Sequence, residues 1–499
     1  MGVAEKRMFR KGIDIASKQV DGSMLGLFRI LWGLIMLLET RWLWIHTADF
    51  HNPSLFHFHF TGFSWIRHFP SVAMTELEIS VMMLAVFFMT VGFAFRPAAI
   101  IYFLGYTHLF FSEAASYNNH FYLIVLISGI LIFTRADNSL SLYQWLRGKG
   151  NLPEKSVPFW NYLLIRFQVI VVYFYGAIAK INHDWLIEME PIRFWLGNGK
   201  HIPEWLAPVV SQEWFVALAA WGGLFIDLIC PILLLFRKTR IIGIAVLLSF
   251  HLLNSQLFRI GYFPLIGIVL MLVFLPPGAL RRFLKKPIEF HKTKAPGRIA
   301  MWIAGAYIAF QILFPLRSYL VPRNNPSWSD RYHFFSWRMM LREKIAVADI
   351  HFGDPEMQQW LEDRPSLFPR LSEIGNQKMG ENPYFLRQWI LALQSRLDNF
   401  GKGDTPIYLF VGCSLNGRPY YPLIDPNKNI CETEVSLFTE SDWILPLPEL
   451  PVDYEQIKPF NNQIRFSNEA IRKYLADNPG PGTQFLNEIP NEDPFPQSE

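Results

Sequence analysis

The sequence predicts a polytopic α-helical membrane bundle of about nine spans, followed by a C-terminal, mainly β soluble domain. Composition is the first observation behind this prediction, because 51% of the 499 residues are hydrophobic and 16% are aromatic. The second is that apolar stretches of about 20 residues, long enough to cross a bilayer, recur between residues 24 and 318. The third is that these stretches stop beyond residue 318. Together these features are typical of a membrane protein rather than of a soluble enzyme.

The same features divide the chain into four segments. Residues 1–22 are charged and lack the apolar core and cleavage site of a signal peptide, so we expect a cytoplasmic N-terminal segment. Residues 23–318 form the predicted transmembrane domain, and residues 319–477 form the predicted extracytoplasmic domain. Residues 478–499 are rich in Pro, Gly, Asn and acidic residues, which is typical of a flexible tail.

Basic residues determine the predicted orientation. With a cytoplasmic N-terminus, the inner loops contain Arg96, Arg135 to Lys155, Arg237 to Arg240, and Arg281 to Lys294. These loops hold the dense Lys and Arg clusters, as expected of a cytoplasmic face. The soluble domain then lies outside, and with no cleavable signal we expect a bacterial inner membrane and a periplasmic domain. The net charge is only +4 without a basic stripe, so nucleic acid is not an expected partner.

The soluble domain is predicted from its strand-like runs and turns. Short β-type runs occur at Ile345 to Phe352 and Ile407 to Val411, and Asn416-Gly417 is typical of a hairpin turn. Apolar residues at helical spacing predict one amphipathic helix from Tyr384 to Phe400. We therefore expect a mainly β domain with a helix.

Unusual polar clusters of the membrane region all fall on the predicted outer side. They are Tyr117 to His120, Asn182 to Asp184, His251 to Gln256, and the segment after Pro315. Polar groups near a bilayer are costly unless they line a cavity or meet partners. Their convergence predicts a site at the outer mouth of the bundle.

The strongest candidate for chemistry is the run from Val171 to Trp185, in which a predicted span ends at Lys180. Tyr173, Gly176, Lys180 and Asp184 would share one face of a continuous helix. A lysine held in an apolar pocket loses its proton readily and would act as a base at neutral pH. The alternative is that Lys180 merely extends its ammonium to the membrane interface, as lysines near span ends do.

Two further constellations contain histidine. The stretch from Ser116 to His120 opens the following span, and His120 can take or give a proton near neutrality. His251, Asn254 and Ser255 share a helical face at positions i, i+3 and i+4. The alternative for each constellation is an interfacial cap or an interhelical hydrogen bond.

No metal site is predicted. His57 and His59 have an H-x-H spacing, but the Phe and Trp residues around them favour a segment lying at the membrane interface. The chain has three cysteines, none in a CxxC or CxxH pattern. Cys230 lies in an apolar run and is expected to pack there, whereas Cys413 and Cys431 could pair in an oxidising compartment.

These polar runs carry a resemblance to a known family. The relevant motifs are Asp21 to Arg29, Asn118 to His120, Trp160 to Tyr162, Tyr173 to Trp185, His251 to Gly261, and Phe335 to Met340. They resemble the vitamin K-dependent γ-glutamyl carboxylase family, and the likeness extends over most of the chain to about residue 450.

The resemblance implies a reaction and two catalytic residues. The lysine matching Lys180 is the base that deprotonates vitamin K hydroquinone, and the histidine matching His120 is needed for carboxylation. The hydroquinone anion reacts with O2, and the resulting alkoxide removes a γ-proton from glutamate. The carbanion captures CO2, which leaves γ-carboxyglutamate and vitamin K epoxide. The implied partners are membrane lipid, a quinol, and a glutamate-containing protein or peptide, and no metal takes part.

The resemblance also suggests residues that bind substrate. By analogy, the pocket is surrounded by Asn118, Asn119, Tyr173, Asp184, Trp185, His251, Asn254 and Trp328. The stretch from Leu341 to Ala346 departs from the pattern of vertebrate members, which bears on the glutamate and CO2 half of the reaction.

Two other functions stay open at this point. A non-catalytic protein of the carboxylase-like group would bind a quinone or lipid without consuming oxygen, and its binding would not depend on Lys180. A structural assembly protein would recruit partners through its soluble domain, and its outer polar cluster would be dispensable.

Overall fold

The computed structural model describes residues 3–148, 153–198, 202–284, 287–291, 297–320, 325–436, 441–449 and 460–489. The elements up to residue 320 are α1 (Val3–Ser17), β1 (Gln19–Val20), α2 (Ser23–Ile45), α3 (Thr47–Phe50), α4 (Val72–Val91), α5 (Phe95–Ser112), α6 (Asn119–Phe133), α7 (Leu142–Gly148), β2 (Glu154–Lys155), β3 (Val157–Pro158), α8 (Trp160–Lys180), α9 (Ile192–Asn198), α10 (Ala207–Val210), α11 (Glu213–Leu235), α12 (Arg240–Leu257), α13 (Phe263–Met271), α14 (Arg281–Leu284), β4 (Ile288–Glu289) and α15 (Arg298–Leu320). This part of the chain is therefore almost entirely helical, as predicted.

Six of these helices are long and apolar enough to cross a membrane, namely α2, α4, α8, α11, α12 and α15. A seventh span would combine Asn119–Phe133 with Ala136–Gly148, which are bent by 60° relative to each other. The apolar helix Phe263–Phe274 is shorter. The chain is thus a polytopic helical membrane protein, whereas the count of about nine spans stays a prediction.

The helices that matter for the site pack side by side. Helix α11 contacts both α8 and α12, α12 contacts α13, and α6 contacts α8. On the side of the predicted inner loops, Arg281 forms ion pairs with Asp21 at 2.7 Å and with Glu154 at 3.1 Å. These ion pairs connect the chain before α2 to the chain after α13.

The soluble domain mixes helices with a small sheet. Its elements are α16 (Pro326–Ser329), β5 (Lys344–Phe352), α17 (Pro355–Glu362), α18 (Glu373–Met379), α19 (Pro383–Asp398), β6 (Ile407–Leu415), β7 (Tyr421–Pro422) and α20 (Phe460–Asp477). Strand β6 is central and pairs antiparallel with β5 and with β7. The expectation of a mainly β domain is not confirmed, because helices flank this sheet of three strands among the described residues.

The predicted tail is partly packed. Phe485 and Ile489 are buried together with Tyr408 and Phe410 of β6, and apolar burial of this kind holds a segment in place. Residues 490–499 lie outside the described residues. Cys413 and Cys431 are both free thiols, and burial raises the pKa of each to about 12.

Candidate functional site

A cavity of about 710 Å³ lies between α6, α8, α11, α12 and α13. Eight of the residues predicted for the site line its walls: Asn118, Asn119, His120, Tyr173, Lys180, Trp185, His251 and Asn254. Most of the remaining wall is apolar, with Leu, Val, Ile and Phe side chains. The structure therefore brings together polar residues that are as much as 136 positions apart in sequence, from Asn118 to Asn254.

Lys180 ends α8 and points into this cavity rather than to the surface. Its side chain is only 7% exposed, and its Nζ lies 2.6 Å from a carboxylate oxygen of Asp227 on α11. The amine also contacts the carbonyl oxygen of Gly176 at 3.3 Å. The apolar pocket predicted for Lys180 therefore contains a carboxylate that the sequence did not reveal, as expected of a buried cation, which is costly unless it is paired.

Asp227 is the functional candidate that the sequence interpretation missed. It is buried in the middle of α11, where it is 4% exposed. A side chain at Gly176 would come within 3.1 Å of the Asp227 carboxylate, so the glycine leaves room for the pair. An acidic residue within an apolar stretch of 23 residues is itself the signal that could have identified it.

Tyr173 and His251 form a second polar pair in the same cavity. The Tyr173 hydroxyl and Nε2 of His251 are hydrogen-bonded at 2.8 Å. Nδ1 of His251 is buried and has no hydrogen-bond partner among the described residues. A Cβ atom at Gly267 of α13 would lie 2.3 Å from Nε2 of His251, so only glycine allows the imidazole to occupy this place. The pair thus joins α8 to α12, and the His251 ring packs against α13 at Gly267.

The start of α6 supplies the remaining polar wall. Asn118 caps α6 by accepting a hydrogen bond from the backbone N–H of His120. Asn119 accepts a hydrogen bond from Tyr117 at 3.0 Å and donates one to the carbonyl of Arg338 at 3.2 Å. The His120 ring is buried and lies 5.9 Å from the Phe263 ring, centre to centre. The cap therefore fixes where His120 enters the cavity.

Trp185 and Asp184 have different surroundings from each other. Trp185 lines the cavity, packs beside the Lys180 amine at 5.3 Å, and donates a hydrogen bond to the carbonyl of Ala220. Asp184 does not line the cavity, because α8 ends at Lys180 and the chain turns. Its carboxylate instead binds Arg418 and Asn416 of the soluble domain, each with a contact of 2.8 Å.

Trp328 also lies outside the cavity. It is fully buried in the soluble domain, where its indole N–H donates to the carbonyl of Leu445 at 2.8 Å. Nearby, Asp330 is bound by Arg342 at 2.7 Å and by Lys344 at 2.8 Å. The stretch from Leu341 to Ala346 therefore contributes two basic residues to a buried ion-pair network.

A strained segment of the soluble domain closes over the cavity. Positive φ angles of 49° to 60° occur at Asp330, Tyr332, Phe335, Trp337 and Met340. Such angles cost roughly 1–3 kcal/mol each in non-glycine residues and persist where surrounding contacts enforce them. Here Trp337 stacks on Tyr122, the N–H of Phe335 donates to Tyr117, and Met339 and Met340 line the cavity.

The cavity suits a mainly apolar small molecule with a few polar groups. Its volume lies within the range of roughly 300–1,000 Å³ that is usual for small-molecule sites. The Lys180–Asp227 and Tyr173–His251 pairs each offer a group that can act as an acid or a base, and the apolar walls exclude water from both pairs. Among the described residues, no group of three or more His, Cys, Asp or Glu side chains could hold a metal ion.

Comparison with known proteins shows the family of this chain. The family model of the HTTM domain matches residues 17–278, which is more than half of the chain and contains the Lys180, Asp227 and His251 positions. The model of the vitamin K-dependent gamma-carboxylase lumenal domain matches residues 296–450. No solved structure matches the chain. The two family matches, which follow each other along the chain, show that this protein belongs to the vitamin K-dependent gamma-carboxylase family.

Proposed function

We propose that this protein oxidises a reduced vitamin K-type quinol with O2 to the epoxide and carboxylates glutamate side chains with CO2. The quinol supplies the electrons for O2 and, once oxygenated, a base strong enough to remove the γ-proton. The observation that carries the proposal is the Lys180–Asp227 pair, which is buried in a cavity that a quinol ring would fit.

The carboxylate of Asp227 gives Lys180 a way to be a base. Moving one proton across their 2.6 Å contact converts an ion pair into a neutral amine and a carboxylic acid. The pair has no net charge in either form, which is what a low-dielectric site requires. The neutral amine can then accept the proton of a quinol hydroxyl, while Asp227 holds the other proton.

The second pair and His120 act at other places on the same walls. The Tyr173–His251 hydrogen bond presents a polar group that can bind a quinol oxygen, and the free Nδ1 of His251 can accept a proton. His120 lines the cavity from α6, and we assign it to the carboxylation half of the reaction. Asn118 and Asn119 position this part of the wall.

The surroundings provide a route for each substrate. Leu218 on α11 and Leu253 on α12 line the cavity and are 60% and 41% exposed, so the cavity reaches the membrane-facing side. A lipophilic quinol can enter there from the bilayer. We place the protein in a bacterial inner membrane, with the soluble domain in the periplasm, where a glutamate-containing peptide would arrive from water.

One assay tests the proposal. Purified protein is given reduced vitamin K, a glutamate peptide and labelled bicarbonate, and epoxide and fixed carbon are measured separately. We expect both products, and we expect both to be lost in Lys180→Ala. Epoxide without fixed carbon would show that the protein oxidises the quinol but does not carboxylate glutamate. Quinol binding without any turnover would instead show a non-catalytic binding protein.

A further inference from the structure

A second cavity lies outside the membrane helices and has a different chemistry. It measures about 730 Å³ and is enclosed by the loop from His51 to His68 on one side and by α19 on the other. We call it the loop cleft. His59, Arg67 and His68 line it from the loop, and Arg387 and Gln388 line it from α19.

The lining of the loop cleft is basic. Arg67 and Arg387 both face it, and no Asp or Glu is present among the described residues that line it. Glu113, which lies behind the loop, is bound by His57 at 2.7 Å and by the backbone N–H of Ala115 at 2.9 Å. Glu434 acts on the charge of Arg387 from outside the lining, so the positive charge of the cleft is centred on Arg67. This charge favours an anionic ligand.

Hydrogen-bond donors remain for such a ligand. Arg67 is exposed, and only its Nε is engaged, with the carbonyl of Ser64. The terminal guanidinium nitrogens of Arg67 therefore stay available to a ligand, whereas the ring nitrogens of His68 and Nδ1 of His59 are buried in the wall behind it. A phosphate group offers several acceptor oxygens and is a common partner of arginine.

The position of the cleft indicates where the anion comes from. Around Arg67 the loop exposes Phe63, Trp65 and Phe69, which are 37%, 75% and 38% exposed, and α4 begins only a few residues later at Val72. Exposed aromatic residues beside the start of a span are typical of the lipid headgroup region. We propose that the loop cleft binds the phosphate headgroup of an anionic phospholipid in the leaflet facing the soluble domain.

Lipid binding here would strengthen a contact between the two domains. Gln388 already accepts a hydrogen bond from the N–H of His59 and donates one to the His59 carbonyl, both at 2.9 Å. Phe58 and Phe385 stack with ring centres 4.5 Å apart. A phosphate between Arg67 and Arg387 would add a charged bridge beside these contacts.

The test uses the full-length chain in a neutral detergent, titrated with phosphatidylglycerol or phosphatidylcholine and analysed by native mass spectrometry. We expect preferential binding of phosphatidylglycerol, weakened about fivefold in Arg67→Gln, as expected for loss of one basic residue near a lipid surface. Arg387→Gln should weaken binding further, but Arg387 also donates to Thr433, so the exposed Arg67 provides the cleaner test.

Arg259→Gln is the matched control, because Arg259 is exposed on the same side and its loss changes the net charge equally. This variant should bind phosphatidylglycerol like the unchanged protein. Equal binding by Arg67→Gln and Arg259→Gln would overturn the proposal. So would full displacement of the lipid by inorganic phosphate or by a glutamate-rich peptide at a lower concentration, which would assign the cleft to a soluble anion or to an acidic chain.

Discussion

Histidines gather in two regions on the same side of this protein, and their surroundings differ. In the membrane cavity, His120 and His251 both line the wall, and their rings lie on the same aromatic ring, that of Phe263, at 5.9 Å and 5.8 Å. In the loop from His51 to His68, the rings of His51 and His57 lie 5.0 Å and 4.1 Å from that of His68. The loop histidines therefore contact one another, whereas the cavity histidines face a space that a substrate could occupy.

From this difference we infer that the cavity serves catalysis, whereas the loop attaches the soluble domain to the membrane helices. The cavity holds few polar groups, and two pairs of them, Lys180–Asp227 and Tyr173–His251, join different helices as acid–base chemistry requires. In the loop, His57 binds Glu113, and the backbone of His59 is hydrogen-bonded to Gln388 of the soluble domain. We therefore expect substitutions in the cavity to change turnover and substitutions in the loop to change stability.

The largest effect should come from the charged pair of the cavity. Asp227→Asn leaves Lys180 as a buried cation without its carboxylate and removes the acceptor for its proton. We expect epoxide formation to fall by about 10²-fold or more, because a general base typically contributes roughly 10²–10⁴-fold. Loss of one partner from a buried ion pair should also cost about 3–5 kcal/mol of unfolding free energy. Product analysis and thermal unfolding in detergent measure the two effects.

The double variant Lys180→Met/Asp227→Asn separates these effects. It removes both charges, so stability should largely return while epoxide formation stays absent. Turnover by this variant would show that the pair is structural and would remove the basis of the proposed mechanism.

A smaller effect on quinol binding and stability is expected at the Tyr173–His251 pair. In Gly267→Ala, the new methyl group would overlap the His251 ring, which must move away from Tyr173. Overpacking of this kind typically costs about 1–3 kcal/mol, and quinol binding should weaken in parallel. The KM for quinol and the thermal midpoint test this. Gly222→Ala is the control, because Gly222 lines the same cavity but has open space around its Cβ position. Equal behaviour of the two variants would contradict the assigned role of Gly267.

The sequence was sufficient to predict the cavity residues that stand out from their surroundings. Lys180, His120 and His251 lie at or near span ends, where polar residues are conspicuous against apolar stretches. The structure places all three around one space. Their catalytic and binding roles remain proposals.

Other features depended on contacts that a local pattern does not contain. Asp227 was missed because only tertiary packing brings α11 against Lys180. Asp184 was expected on the Lys180 face because helical spacing continues past residue 180, but Asn182 accepts a hydrogen bond from the N–H of Trp185 and starts a new turn. In the soluble domain, β5 and β6 were recognisable as apolar strands, whereas the polar helix α20 offered no comparable apolar run.

The smallest expected effect is a loss of folding stability at low pH, caused by a histidine of the loop from His51 to His68. Burial, followed by the proximity of His57 and His108, lowers the pKa of His51 from 6.5 to about 3, and the ring of His68 lies 5.0 Å from the His51 ring. The folded protein therefore keeps His51 neutral, while the unfolded chain takes up a proton below about pH 6.5. His51 alone should therefore lower stability by up to about 1.4 kcal/mol per pH unit below this pH.

Thermal unfolding in detergent between pH 7.5 and pH 5 would measure this decline, at about the range where histidine titrates. His51→Gln should make the decline shallower without abolishing it, because burial also lowers the pKa of His68, to about 2, and His68 stays in place. The variant should leave epoxide formation at pH 7.5 unchanged. His183→Gln should keep the original slope, because His183 is 65% exposed and solvated in both states. If His51→Gln reduced turnover as strongly as Asp227→Asn, the loop and the cavity would have to act together in catalysis, because a loop that only attaches the soluble domain cannot supply a reacting proton.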